Sequence, residues 1–280
     1  MIFYFSATGN TKWAAEQIMA TTRDRMQLMT TADTDVEISL EEGERLGFCF
    51  PVHGWRPPLI VRQFISRLKV NNLQGHFVYA LCTAGDTIGE TLDIFASDLK
   101  ARGINLDAGS SLLMPESYVG LPFMDVDTPE REAEKIETSQ IRLNRMIDDI
   151  MHCRPFRSKP DRGHWPRINS RLIGSFFVNR LVTDKPFHVI EDRCIKCGKC
   201  ADVCPVNDIK GGKGLTPEWL HNGHCLTCFN CFHHCPTHAI EFGSRQKTKD
   251  NISSDATTKR DATTKRDALT KREITTINCS

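Results

Sequence analysis

Eight of the twelve cysteines in this 280-residue chain fall in two runs of one spacing. The first is Cys194-x-x-Cys197-x-x-Cys200-x-x-x-Cys204-Pro205, the second Cys225-x-x-Cys228-x-x-Cys231-x-x-x-Cys235-Pro236. Three thiolates at three-residue intervals on a tight loop suit three corners of an iron–sulfur cube, and the fourth corner needs a ligand from elsewhere. Structural zinc usually takes two separated cysteine pairs or Cys/His mixtures at tetrahedral spacing. His224, His233 and His234 lie near the second run, but neither run needs them to complete eight thiolates. Disulfides call for an oxidising compartment. The apolar start, Met1-Ile2-Phe3-Tyr4-Phe5, turns polar at Ser6 and is too short for a secretory h-region.

A second constellation lies near the start of the chain. Ser6-Ala7-Thr8-Gly9-Asn10-Thr11 sits between an apolar strand pattern and a helical one. A turn there aims backbone N–H groups and the positive end of a helix dipole at one point. Hydroxyls add donors, and Gly9 lets the backbone fold closely around an anion. Neither Gly-x-x-x-x-Gly-Lys nor Gly-x-Gly-x-x-Gly is present, so the reading is a phosphate monoester site rather than a triphosphate or dinucleotide site. Two further loops fall at predicted strand ends. Pro51, Val52, His53, Gly54 and Trp55 form one, and Thr83, Ala84, Gly85 and Asp86 the other. Their backbones can meet the polar edge of a flavin while Trp55 stacks on its face. His53 is the best-placed proton donor, although a satisfied loop histidine is the plainer reading. Cys82 and Cys49 read as inert buried strand cysteines.

The elements that must position these loops alternate. Strands are expected at 2–5, 36–40, 45–51, 77–83 and 104–114, with helices at 11–22, 58–68, 90–102 and 130–151. Five βα units imply a doubly wound, five-stranded parallel sheet whose ligand site lies at the C-terminal ends of the strands. Residues 152–185 read as a connector. Its 168–183 part forms an amphipathic helix whose Leu172, Phe176, Phe177 and Leu181 are expected to pack between domains rather than on a membrane surface. A small α+β unit follows at 186–243. Residues 244–280 contain three hexads of the type Asp-Ala-Thr-Thr-Lys-Arg, too polar to bury a core, and read as a disordered low-complexity tail. Residues 1–243 carry 27 basic and 30 acidic side chains, which gives no electrostatic case for nucleic acid. No apolar stretch approaches bilayer-spanning length.

Residues 1–151 resemble flavodoxin, with Ser6–Thr11 placed as that family's FMN phosphate loop. The chain as a whole resembles the flavodoxin–ferredoxin fusion proteins, in which a flavodoxin-like domain precedes a bacterial-type 2[4Fe-4S] ferredoxin. Phe5–Thr11, Pro51–Trp55, Lys185-Pro186-Phe187 and the first cysteine run all stand where that family has its motifs. Departures are Ser6 for a commoner threonine, Ala7 for a frequent glycine, and the unusual Arg56-Pro57-Pro58. In two-cluster ferredoxins the fourth cysteine of each run ligates the other cluster. The resemblance therefore implies one [4Fe–4S] cluster on Cys194, Cys197, Cys200 and Cys235, and a second on Cys225, Cys228, Cys231 and Cys204. It also implies FMN held by the three loops. The expected activity is that of a cytoplasmic iron–sulfur flavoprotein passing electrons between FMN, two clusters and redox partner proteins, without membrane insertion or nucleic acid. The alternative is a flavin-dependent reductase with its own small-molecule substrate, wired internally by the clusters.

Overall fold

A computed structural model describes residues 1–29, 35–121 and 124–243; the tail expected at 244–280 lies outside the described residues. Strands β1 (Ile2–Tyr4), β2 (Met26–Leu28), β3 (Val36–Ser39), β4 (Leu46–Pro51), β5 (Leu68–Asn71), β6 (Val78–Ala84) and β7 (Ala108–Leu113) alternate with α1 (Asn10–Thr22), α2 (Leu59–Arg67), α3 (Thr91–Lys100) and α4 (Pro129–Met151). Five strands form one parallel sheet in the order β2-β1-β4-β6-β7. Its central strands are apolar throughout because helices cover both faces. Ile2, Cys49, Tyr79 and Leu81 point toward α1 and α4. Phe3, Phe48, Phe50 and Ala80 point toward α2 and α3. There Phe3 packs on Phe48 and Phe64, while Phe95 closes on Phe48 and Phe50.

One strand assignment changes. The 36–40 strand exists, but it pairs in parallel with β5 in a separate two-stranded sheet. Its place beside β1 is taken by Met26–Leu28, three residues whose register runs Ile2 to Met26. So short a segment, with Gln27 and Leu28 exposed, carries no periodicity. Val36–Ser39 alternates half-buried and exposed positions, as a marginal strand does. The last sheet strand starts at Ala108 rather than at 104, because the Asp107 carboxylate accepts from the Val78 N–H and ends the loop there.

Beyond α4, a helix runs from Ile168 to Leu181, with α-type hydrogen bonding only at Gly174–Phe176 and π-type turns on either side. Of the four residues expected to pack, Phe177 and Leu181 are half-buried, but Leu172 and Phe176 are 70% and 60% exposed. The helix turns its small residues, Ser170 and Gly174, to the protein instead. The cysteine-rich unit is built from two antiparallel pairs, β8 (Phe187–Val189) with β11 (Ile240–Phe242) and β9 (Ile209–Lys210) with β10 (Glu218–Trp219). Phe229 is fully buried at its centre, in ring contact with Tyr118, Phe187, Phe232 and Phe242.

The tightest constraint in the sheet is Gly47 in β4. A β-carbon there would come within 2.3 Å of the Tyr79 ring, which is itself fully buried. Gly47→Ala is expected to cost about 1–3 kcal/mol by overpacking, read as a lower urea midpoint with an unchanged slope. Tyr79→Phe should cost nothing, because the Tyr79 hydroxyl has no hydrogen-bond partner among the described residues.

Candidate functional site

Strands β1, β4, β6 and β7 end on one side of the sheet, and their loops enclose a cavity of about 560 Å³. Every residue expected at the flavin lines it except Gly9. Gly9 is instead the turn that starts α1, at φ +99°, with open space where a β-carbon would be. Its backbone conformation, rather than crowding, is what calls for glycine. No side-chain hydrogen bond caps α1, and its first residues, Asn10 and Thr11, line the cavity, a placement that suits an anion. The loop is pinned from below, where the buried Thr11 hydroxyl meets the Thr83 hydroxyl at 2.7 Å and the Asn10 amide donates to the Pro115 carbonyl.

The 51–55 loop is a tight reversal. His53 and Arg56 exchange backbone hydrogen bonds of 3.0 and 3.1 Å around Gly54 and Trp55, both at positive φ. A two-residue turn of this kind needs φ above zero at both central positions, and tryptophan is an uncommon occupant. Two contacts hold it there: the Trp55 indole N–H donates to the Thr87 hydroxyl at 3.1 Å, and the Ser170 hydroxyl donates to the Trp55 carbonyl at 2.8 Å. Ser170 also accepts from the Glu90 N–H, and Arg56 donates to the Ser170 carbonyl. The 168–181 helix is thus clamped to the 51–55 loop. Burial pushes His53 down to about 4, so near pH 7 it is a neutral imidazole rather than an imidazolium acid.

Sequence reasoning missed three parts of this cavity. One is the loop after β7, residues 115–118 with Leu121 and Met124. The rule that strand ends line the ligand site could have found it. Glu116 is the notable residue there. Burial raises its carboxyl above the ordinary range, against opposing hydrogen bonds from the Tyr118 and Ser117 N–H groups and the charge of Lys135. Lys135 itself is held by the Gly85 carbonyl and by Asp127. A second missed wall comes from the helix, through Ile173, Phe176, Phe177 and Leu181. The third is Leu226, Thr227 and Cys228, from the second cysteine run, for which no sequence signal exists.

Cys228 also borders another space. A small internal cavity of about 20 Å³ is lined by Cys204, Cys225, Cys228 and Cys231, within apolar walls that include Phe187, Val206, Ile209 and Trp219. Burial pushes the Cys228 thiol up to about 12 and raises those of Cys225 and Cys231, with their neighbouring thiols adding to the rise. Cys204 is among those neighbours for both Cys228 and Cys231. Cys200 is pushed up to about 11 by burial first, with smaller contributions from nearby Cys235 and Cys197. The fourth cysteine of each run therefore stands with the other run. The backbone repeats as well: Lys196 and Thr227, Gly198 and Phe229, and Asn207 and His238 share positive φ at matching positions. So do the N–H···S bonds, from Asp208 to Cys204 and from Ala239 to Cys235, both 3.2 Å. Among the described residues no three His, Cys, Asp or Glu side chains gather as a single-ion site. His233 is occupied elsewhere, with Nε2 at 2.8 Å from the Ser117 carbonyl. Cys49 and Cys82 are fully buried in their strands, and burial raises both thiols, Cys49 to about 12.

Residues 1–93 match the family model of the flavodoxin domain, and residues 187–210 that of the 4Fe-4S binding domain. A flavodoxin domain is joined here to a 4Fe-4S domain. No curated protein and no solved structure matches the chain. The protein is an iron–sulfur flavin electron-transfer protein with at least one 4Fe–4S cluster. Among the described residues no helix is long and apolar enough to cross a membrane. The 4Fe-4S match contains the first cysteine run and stops before the second. The flavodoxin match includes the phosphate loop and the next two site loops. The residues present fit both groups: an uncapped helix start and a glycine turn for the flavin phosphate, and a ring of thiols in an apolar shell for a cluster.

The clamp between helix and flavodoxin domain is testable at Gly174. A β-carbon there would lie 2.2 Å from the Gly54 carbonyl oxygen. Gly174→Val is expected to lever the helix off the 51–55 loop and weaken flavin binding about tenfold, equivalent to about 1.4 kcal/mol. Titration of the apoprotein by quenching of flavin fluorescence would measure it.

Proposed function

We propose that the chain binds FMN through the 6–11 loop, with the ring between the 51–55 and 83–86 loops, and two [4Fe–4S] clusters on its eight paired-run cysteines. Cys225, Cys228, Cys231 and Cys204 hold the cluster nearer the flavin; Cys194, Cys197, Cys200 and Cys235 hold the farther one. Its function is to pass electrons between flavin, near cluster, far cluster and a redox partner. The proposed division is 1–151 for the flavodoxin-like domain, 152–185 for the connector and 186–243 for the ferredoxin unit. The reducing cytoplasm suits eight thiolate ligands.

The observation that carries this reading is that Cys228 lines the flavin cavity and the thiol-ringed cavity alike. A flavin exchanges one or two electrons and a cluster one, so the pair can convert between the two modes. The chain's own residues hold the two sites together. Thr227 exchanges hydrogen bonds with the Thr183 backbone, donating from its hydroxyl to the carbonyl and accepting from the N–H. Tyr118 stands edge-on to both Phe177 and Phe229. These contacts pack the wall between the two cavities. The Asp208 and Ala239 N–H groups directed at Cys204 and Cys235 Sγ would stabilise the added charge of a bound cluster on reduction, one of the levers that set potential. FMN is favoured over FAD because the loop offers donors for one monoester and no second loop is built for a pyrophosphate.

One observation favours the second reading, a reductase with its own small substrate. Glu116 is a half-buried carboxyl at the cavity wall whose raised pKa suits proton handling. Multiple turnover of a small acceptor that is lost in Glu116→Gln, with flavin content unchanged, would establish that reading.

Anaerobic purification with iron, acid-labile sulfide and flavin quantified tests the main proposal. About eight iron and eight sulfide per chain are expected from two cubanes, with one FMN. Cys228→Ser should lower iron to about four. Zinc without labile sulfide, or FAD in place of FMN, would overturn the corresponding assignment.

A further inference from the structure

The two clusters of the proposed function do not face the same surroundings. On the second-run side, Val206 and Leu226 belong to the hydrophobic core of the flavodoxin domain, and Cys204 and Cys228 pack against it. The first-run loop faces outward. Ile195, beside Cys194, is 62% exposed, and Leu215 is 60% exposed. Lys196, Lys199, Lys210 and Lys213 are all exposed. Two loops bring these residues together. The Gly214 N–H donates to the Lys196 carbonyl at 2.8 Å, and a β-carbon on Gly198 would come within 2.9 Å of the Gly212 backbone. Between Cys194 and Leu215 Asp202 is the one exposed acid, since Asp208 is fully buried. Residues 195–199 and 210–215 themselves hold four lysines and no acid, so this small face is basic; exposed Glu191, Asp192 and Glu218 border it, Glu218 opposite Lys210 across the β9–β10 pair.

We propose that the face formed by residues 195–199 and 210–215 docks an acidic one-electron redox protein, which exchanges electrons with the cluster of the first run. The proposal rests on the two-cluster reading above. Exposed isoleucine and leucine rimmed by lysines match the apolar centre and charged rim of a transient interface. Lysines around the exit point steer an acidic partner to the one place where its centre comes close to a cluster. In each encounter one electron crosses, so that one centre is oxidised and the other reduced, and no bond forms or breaks. The competing apolar face, Trp165, Ile168, Leu172 and Phe176 on the 168–181 helix and just before it, is less suited to an acidic protein. Its arginines Arg167 and Arg171 are already paired with Glu90.

The test is stopped-flow reduction of the anaerobic, fully loaded chain by a chemically reduced acidic flavodoxin, across a range of ionic strength. The second-order rate constant is expected to fall as salt rises, because opposite charges are screened. Lys196→Glu/Lys199→Glu/Lys213→Glu should lower it about tenfold or more at low salt and reverse the salt dependence. Iron and sulfide content and reduction by a small neutral dye should not change. Arg23→Glu/Lys69→Glu/Lys100→Glu, an equal charge change on the flavodoxin domain, should leave the low-salt rate within about twofold. A loaded lysine triple variant that reacts as fast as wild type overturns the docking face. So does equal slowing in the control triple, or slowing by Leu172→Glu in its place. A wild-type chain without a first-run cluster by iron and sulfide analysis overturns the two-cluster reading, and the docking face with it.

Discussion

The thiol of Cys228 stands in the wall between two cavities, and the placement of nearly everything else in the protein follows from keeping it there. The 6–11, 51–55 and 83–86 loops come from a sheet whose strands are buried on both faces and have little freedom to shift. The cysteine-rich unit comes from a different part of the chain and has its own core around Phe229. Between them lies the 168–181 helix, which presents Ser170 and Gly174 to the 51–55 loop and Phe177 and Leu181 to the cavity. Small residues allow close approach on one side, and large ones close the space on the other. The loop after β7 completes the wall, through Tyr118 against Phe229 and the Ser117 carbonyl against His233.

Several of the strained backbone positions lie along this same wall. Trp55, Thr227 and Phe229 all take positive φ, conformations that non-glycine residues adopt at a cost of order 1–3 kcal/mol each. Such strain persists only where surrounding contacts over-determine it. Trp55 has Thr87 and Ser170, Thr227 has both backbone groups of Thr183, and Phe229 has four aromatic neighbours. Each bears on one of the two cavities: Trp55 on the larger, Thr227 and Phe229 on the loop that carries Cys228. The Lys196 and Gly198 turn of the first run has the same backbone with a lighter load, since glycine replaces the buried phenylalanine. That asymmetry matches one cysteine run packed into the protein and one turned outward.

Much of this was legible because the informative residues are local. The cysteine spacing, the 6–11 loop and the apolar strands each carry their signal within a few neighbours, and the sheet places the three loops as their strand ends require. Met26–Leu28 was not legible, since a three-residue edge strand has no period. Val36–Ser39 was legible as a strand but not by partner, because β5 follows α2 with no break in sequence between them. The helix at 168–181 showed an apolar stripe, yet its contact with the domain runs through Ser170 and Gly174, residues that hydrophobic patterning discounts. Least visible was the meeting of Cys228 with the 51–55 and 83–86 loops at one cavity, across more than half the chain. Spacing specifies what a cysteine run can hold, but not what it faces.

If the shared wall is what the protein is built around, electrons must cross it within one molecule. The direct measurement is laser-flash reduction of the flavin in the anaerobic, loaded chain, followed by the appearance of reduced cluster at several protein concentrations. The account predicts a first-order transfer whose rate constant does not depend on concentration. A rate that rises in proportion to protein concentration would mean that the clusters are reduced between molecules, and would contradict it.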